Sequence, residues 1–325
     1  GYLGSIPELG KAFSSFAKRR WNWDVNSDYV RLCTDVGVGM VEVLRVTTKP
    51  GDKVLVNSPI YQNFFNWINE TKVELVDVPF LKEGMTYSLD FENIEKQYVA
   101  GVKVHALCSP HNPLGRVYSR SELTQIADLA KKYGVIVISD EIHAPLTFPG
   151  EEFIPFLAVN QNAAEVGICV TSASKAFNIA GLKSAIIVSQ TEKMHELLAK
   201  MPMSVHFRSS ILGAFAAVTA FNEGEEWLDA ALSTIESNAH YLKTILNSQI
   251  PAAKYEVPKC SYLAWVDVSN LNLGEDPSAV FLEKGRVAFN AGKIYGPNSS
   301  QFVRINLATS ESVLAEAVNR MAKSL

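Results

Sequence analysis

Apolar and polar positions follow two rhythms that succeed one another along the chain. Short runs rich in valine and isoleucine, at 53–57, 73–78, 102–108, 135–139 and 168–170, have the length and β-branched content of buried strands. Between them lie stretches with helical spacing. Residues 5–20 place Leu9, Phe13, Phe16 and Ala17 on one stripe and finish on basic residues, and a helix carrying Met40, Val41, Val43 and Leu44 is stopped by Pro50-Gly51. Ser119 stands three residues before Glu122 as a capping box, ahead of a stripe of Leu123, Ile126, Ala127 and Ala130 that Gly134 ends. Further helices start near Asp90, cover 191–201, and run from about 209 to 247 with a break at Asn222-Glu223-Gly224.

Strand alternating with helix is the pattern of a largely parallel sheet covered on both faces. Past Pro251 the texture becomes that of a smaller α/β unit: SYLAWVDVS, a helix near 277–284, then RVAFNAGKIYG, FVRINLA and a last helix from Ser310. The prediction is an α/β protein divided near residue 245, with a large domain over 1–245 and a small C-terminal domain over 246–325.

Composition narrows the class. With 325 residues, 47% of them hydrophobic, the chain can bury a substantial core. A net charge of -4 with both signs interspersed argues against nucleic acid as a partner, and no apolar run reaches the length of a membrane span. Cys33, Cys108, Cys169 and Cys260 stand far apart, without metal-ligand or redox-pair spacing, so no metal and a reducing, cytoplasmic setting are expected. The chain opens on Gly1 with no charged and apolar leader, so a signal peptide is not expected and the N-terminus is expected to be incomplete.

The candidate chemistry centres on residues 166–183, GICVTSASKAFNIAGLKS, where a short strand collapses into Thr171, Ser172 and Ser174 and presents Lys175. An isolated S-x-S-K is more often a surface turn, but here the pattern reads as a buried lysine among hydroxyls. Upstream, the run VIVIS ends on Asp140 and Glu141, and the strand at 102–108 leads into SPHNPLGR with Asn112. Ligands of open α/β sheets bind at the carboxyl ends of the strands, so these three ends face one crevice. Gly37-Val38-Gly39 before a helix is a weak anion-site signal, Tyr61 follows the strand at 53–57, and Arg304 lies on FVRINLA beside Asn306.

Together these motifs resemble the pyridoxal 5'-phosphate enzymes of fold type I, the aspartate-aminotransferase superfamily, and most closely the branch of cystathionine β-lyase and cystalysin-like carbon-sulfur lyases. The resemblance runs from Gly1-Tyr2 to FVRINLATS. It implies the cofactor on Lys175 as nucleophile and general base, Asp140 at the pyridine nitrogen, Tyr61 on the ring, and Asn112 at the phenolic oxygen and substrate carboxylate. His143 joins these cofactor contacts. Val38 and Gly39 through their backbone, Ser172, Ser174 and Lys183 would surround the phosphate, and Arg304 would hold the carboxylate of a small amino-acid substrate. It also implies a homodimer in which Tyr2 reaches the partner's phosphate, and an N-terminal arm that is expected to be missing from this chain. Transaminases of the superfamily usually carry arginine where Lys183 stands and tyrosine where His143 stands. DEIH, with AFN after the lysine, resembles the lyase branch, so α,β-elimination is expected, with an aminotransferase or a regulatory partner protein as alternatives.

Overall fold

The computed structural model describes residues 4–325. Nine of its strands belong to the first part of the chain: β1 (Val30–Cys33), β2 (Lys53–Val56), β3 (Glu74–Asp77), the hairpin β4 (Leu81–Glu83) and β5 (Thr86–Ser88), β6 (Val102–Cys108), β7 (Ile136–Asp140), β8 (Gly167–Thr171) and β9 (Ala185–Val188). Seven of them form one sheet in the order β1-β9-β8-β7-β6-β2-β3. From β8 to β3 every pairing is parallel, whereas β9 runs antiparallel to both β8 and β1. The carboxyl ends of β2, β6, β7 and β8 therefore meet on one edge.

The central strands are legible in their composition. All five residues of β8 and four of five in β7 are buried, as required of strands covered on both faces. The helix Val36–Thr47 lies on one face so closely that a Cβ at Gly39 would sit 2.9 Å from Val170 Cγ1 and 3.1 Å from Cys33 Sγ. On the other face the helix Arg120–Tyr133 carries the predicted capping box of Ser119 and Glu122 and ends at Gly134 with φ +69°. The helix Pro7–Trp21 buries the predicted Leu9, Phe13, Phe16 and Ala17.

A second sheet, all antiparallel, has the order β10 (Lys254–Tyr255), β11 (Leu263–Asp267), β13 (Phe302–Asn306), β12 (Asn290–Ala291). The apolar stretch 209–247 resolves into Ile211–Glu223 and Glu225–Gln249, interrupted at Gly224 as the pattern predicts. A division at 245 falls inside the second of these helices, which packs against Glu311–Lys323. The hydrophobic pattern does not predict β1, β9 or the β4–β5 hairpin, and RVAFNAGKIYG contributes only the two residues of β12 to the sheet. Among the described residues no helix is long and apolar enough to cross a membrane.

Candidate active site

At the edge where the parallel strands end, a cavity of about 800 Å³ opens between the two sheets. Nine of the twelve residues predicted for the site line it: Val38, Tyr61, Asn112, Asp140, His143, Ser174, Lys175, Lys183 and Arg304. Gly39 and Ser172 do not, and Tyr2 lies outside the described residues.

Asp140 is the last residue of β7 and 4% exposed. Loss of water pushes its carboxyl up to about 7, against the Ile142 N–H that donates to Oδ1 (3.1 Å) and the nearby Lys175 cation. Among the described residues its second oxygen has no partner, and it is not sealed from the cavity. Lys175 projects from the short helix Ala173–Ala176, and here the expectation of a buried lysine is corrected: its neighbours Ser174 and Ala176 are buried, but the lysine itself is exposed to the open cavity.

Arg304, on β13, donates from Nη1 to Asn112 Oδ1 (3.0 Å) and from Nη2 to Asn290 Oδ1 (3.1 Å), with its guanidinium 5.0 Å from the Tyr295 ring centre. Its Nε is buried without a partner among the described residues. Among the described residues neither Arg304 nor Lys175 has a carboxylate within ion-pair distance, so two cations face the cavity without a direct ion pair. Asn112, held by Arg304 through its oxygen, keeps its side-chain N–H groups for an occupant. Tyr61 accepts from Asn63 Nδ2 (2.7 Å); burial raises its pKa while Lys175 and Arg304 oppose the rise.

The groups expected around a phosphate differ from the prediction in two places. Helix Val36–Thr47 is capped by Asp35, whose Oδ1 accepts from Val38 N (2.8 Å), while Gly39 N donates to Asp35 O (2.9 Å). The amides of Val38 and Gly39 are thus committed to the helix start, and those of Val36 and Gly37, both lining the cavity, are left at its open end. Gly39 serves close packing on the sheet instead. Ser172 caps its own short helix and donates to Ser184 O (2.7 Å), 2.7 Å from Ser174 Oγ, so it supports Ser174 from behind. Lys183 pairs with Asp35 Oδ2 at 3.0 Å.

His143 is 5% exposed and pushed down to about 3, first by burial and then by the charges of Lys175 and Arg304. Its Nδ1 lies 3.1 Å from Ser261 Oγ, and its ring is 5.9 Å from that of Tyr262. Ser261, Tyr262, Asn290 and Asp35 escape the sequence reasoning. Only Asp35 leaves a signal there, as an N-cap residue type directly before the helix.

The family model described as aminotransferase class I and II matches residues 1–321. The chain is 32% identical over 325 residues to a cystathionine beta-lyase of Corynebacterium glutamicum, covering 100% of this chain and 86% of that one. It is 30% identical to cystathionine beta-lyase PatB of Bacillus subtilis, covering 100% and 85%. Among solved structures, cystalysin from Treponema denticola, which contains a pyridoxal 5'-phosphate cofactor, superposes with a TM-score of 0.95 at 31% identity, covering 100% of this chain and 83% of that one.

Proposed function

We propose that this chain, which belongs to the aminotransferase class I and II family, is a pyridoxal 5'-phosphate-dependent carbon-sulfur β-lyase that splits cystathionine or related S-substituted cysteines into pyruvate, ammonia and a thiol. The observation that carries the reading is the meeting of two cations without direct ion pairs, Lys175 and Arg304, with the desolvated Asp140 in one cavity. Similarity to proteins named cystathionine beta-lyase supports elimination over amino transfer.

The residues present fit the cofactor. Asp140 offers a buried carboxylate oxygen to a protonated ring nitrogen, and the helix-start amides of Val36 and Gly37, the Ser174 hydroxyl and Lys183 offer donors to a phosphate. Bound pyridoxal phosphate would supply an aldehyde and a ring that takes up electrons. Lys175 Nζ is the nucleophile and afterwards the base that takes the proton from the substrate Cα. Arg304 orients the substrate carboxylate by its planar fork, with Asn112 beside it. Asp140 would favour the protonated form of the ring nitrogen. The β-thiolate leaves, and water and a proton complete pyruvate, ammonia and thiol.

The active unit in this reading is a homodimer. Leu182, Met203, Phe207, Ile211, Leu212 and Phe215 are exposed, Lys183 and Arg208 of the same stretch of chain line the cavity, and a second copy is the occupant that would cover these apolar side chains and complete the site, with Tyr2 contributed across the interface. Residues 1–245 and 246–325 would be its large and small domains. Four buried free cysteines accord with a reducing cytoplasm.

The test is product analysis. Enzyme loaded with the cofactor and given cystathionine should release pyruvate, ammonia and a thiol with no keto acid added, and borohydride should fix the cofactor to Lys175. A strict need for a keto acid acceptor without thiol release would replace this reading by that of an aminotransferase.

A further inference from the structure

Ser261 lies 118 residues from His143 in sequence, on the segment that leads into the second sheet, yet its hydroxyl is the protein partner of the His143 ring. The contact is built in. Backbone hydrogen bonds run from Lys259 N to Gly115 O (2.7 Å), from Phe148 N to Lys259 O (3.0 Å) and from Ser261 N to Leu146 O (2.8 Å), and Thr147 and Cys260 form a bridge between them. Gly115, at φ +61°, lets the two segments approach so closely that a Cβ there would fall 2.3 Å from Pro258 Cβ. His143 is tied to the same stretch through Leu146 N, which donates to His143 O (2.9 Å). Ser261 itself holds φ +71°, a left-handed conformation that a non-glycine residue keeps only where its surroundings impose it.

The direction of the hydrogen bond follows from counting donors. Ser261 is 2% exposed and its backbone N–H is spent on Leu146, so the hydroxyl proton has one acceptor among the described residues, His143 Nδ1. If Nδ1 carried the proton instead, the serine O–H would be a buried donor with nowhere to go, which is the more expensive arrangement. Nδ1 is therefore the acceptor, and the ring proton sits on Nε2. Among the described residues that nitrogen has no partner; it is not sealed in, and it belongs to a residue that lines the cavity.

We propose that Ser261 is a positioning residue that locks His143 in the Nε2–H tautomer, so that the ring presents a hydrogen-bond donor, and not an acceptor, to the active-site occupant. The complement of such a donor is an anionic oxygen of the bound cofactor or substrate. The tautomer stands independently of the lyase reading, whereas its consequence for turnover rests on it.

The experiment uses the full chain labelled with ¹⁵N-histidine, the His143 signals being assigned by their loss in His143→Gln. The parent, without and with pyridoxal phosphate, should show a protonated Nε2 and an unprotonated Nδ1, and Ser261→Ala should convert this to a mixture of tautomers. Ser261→Gly lacks the hydroxyl too but suits the left-handed backbone, so it keeps the test open if the alanine variant folds poorly. The two variants should share the tautomer change and a loss of about three- to tenfold in kcat/KM, the worth of one hydrogen bond. A protonated Nδ1 in the parent, or an unchanged tautomer in both variants, overturns the proposal. Absence of thiol release from a parent with the expected tautomer overturns the lyase reading alone.

Discussion

Asp140 and Glu141 are neighbours at the end of β7, both buried, and both pushed up to about 7 by loss of water. Their surroundings differ. Glu141 accepts from Ser139 Oγ (2.9 Å), Phe156 N (2.9 Å) and Cys169 Sγ (3.4 Å), so both of its oxygens are engaged. Asp140 has one backbone donor on one oxygen and turns the other to the cavity. Two histidines repeat the contrast. His105 and His143 are both pushed down to about 3 by burial, but His105 is tied at both nitrogens, to Tyr98 (2.7 Å) and Asn57 (2.8 Å), while His143 is tied at one. A shifted pKa marks support and site alike; unused hydrogen-bonding capacity separates them.

Exchanging the two acids should separate them most sharply. Asp140→Asn should lower kcat for thiol release by about 100- to 1,000-fold, the range for losing one preorganised electrostatic contact. Glu141→Ala should leave the rate per folded molecule within a few-fold but lower stability by about 2–4 kcal/mol, because Ser139 and Phe156 become buried donors without an acceptor. Steady-state kinetics with denaturant titration checks both, and equal losses of rate would break the contrast.

A pH series on the cofactor-free protein sharpens it. Asp140 has a folded pKa above its unfolded value, so its ionisation opposes folding; the stability it contributes is complete below about 4 and is lost as pH rises through about 7. Asp140→Asn should therefore gain on the parent by a few kcal/mol at most, the difference opening between pH 4 and 7 and staying constant above. A melting-temperature difference independent of pH would contradict the assignment.

The smallest effect belongs to Tyr61. Tyr61→Ala should raise the cofactor dissociation constant about two- to tenfold through loss of ring stacking, and Tyr61→Phe should leave it nearly unchanged. Fluorescence titration measures it, and an equal loss in both variants would assign the effect to the hydroxyl.

How much of this was readable beforehand depends on where a residue's neighbours come from. Strands β6, β7 and β8 are visible because burial on both faces makes them unbroken apolar runs, and Asn112, Asp140 and Lys175 are visible because they follow such runs directly. Strand β1 is hidden by Arg31 in the middle of four residues, and β9 by its shortness directly after the lysine loop. The helix start at 36 is misplaced by the glycines: Gly37 and Gly39 resemble a turn, whereas Asp35 caps a helix that already contains both. Ser261 has no local mark, since its meaning comes from a clasp with a segment more than a hundred residues away.

The antiparallel placement of β9 beside β8 bears on how this scaffold could be altered. A parallel crossover would carry the chain to the far edge of the sheet after Thr171; here residues 172–184 leave and re-enter on the same rim, with Val170 opposite Ile187 and Thr171 opposite Ile186. Ser174, Lys175 and Lys183 thus travel on one excursion anchored at both ends by paired strands. For protein engineering that excursion is a cassette: it can be exchanged whole with the matching stretch of a relative, carrying the proposed nucleophile and anion-binding groups together, without rethreading any other strand.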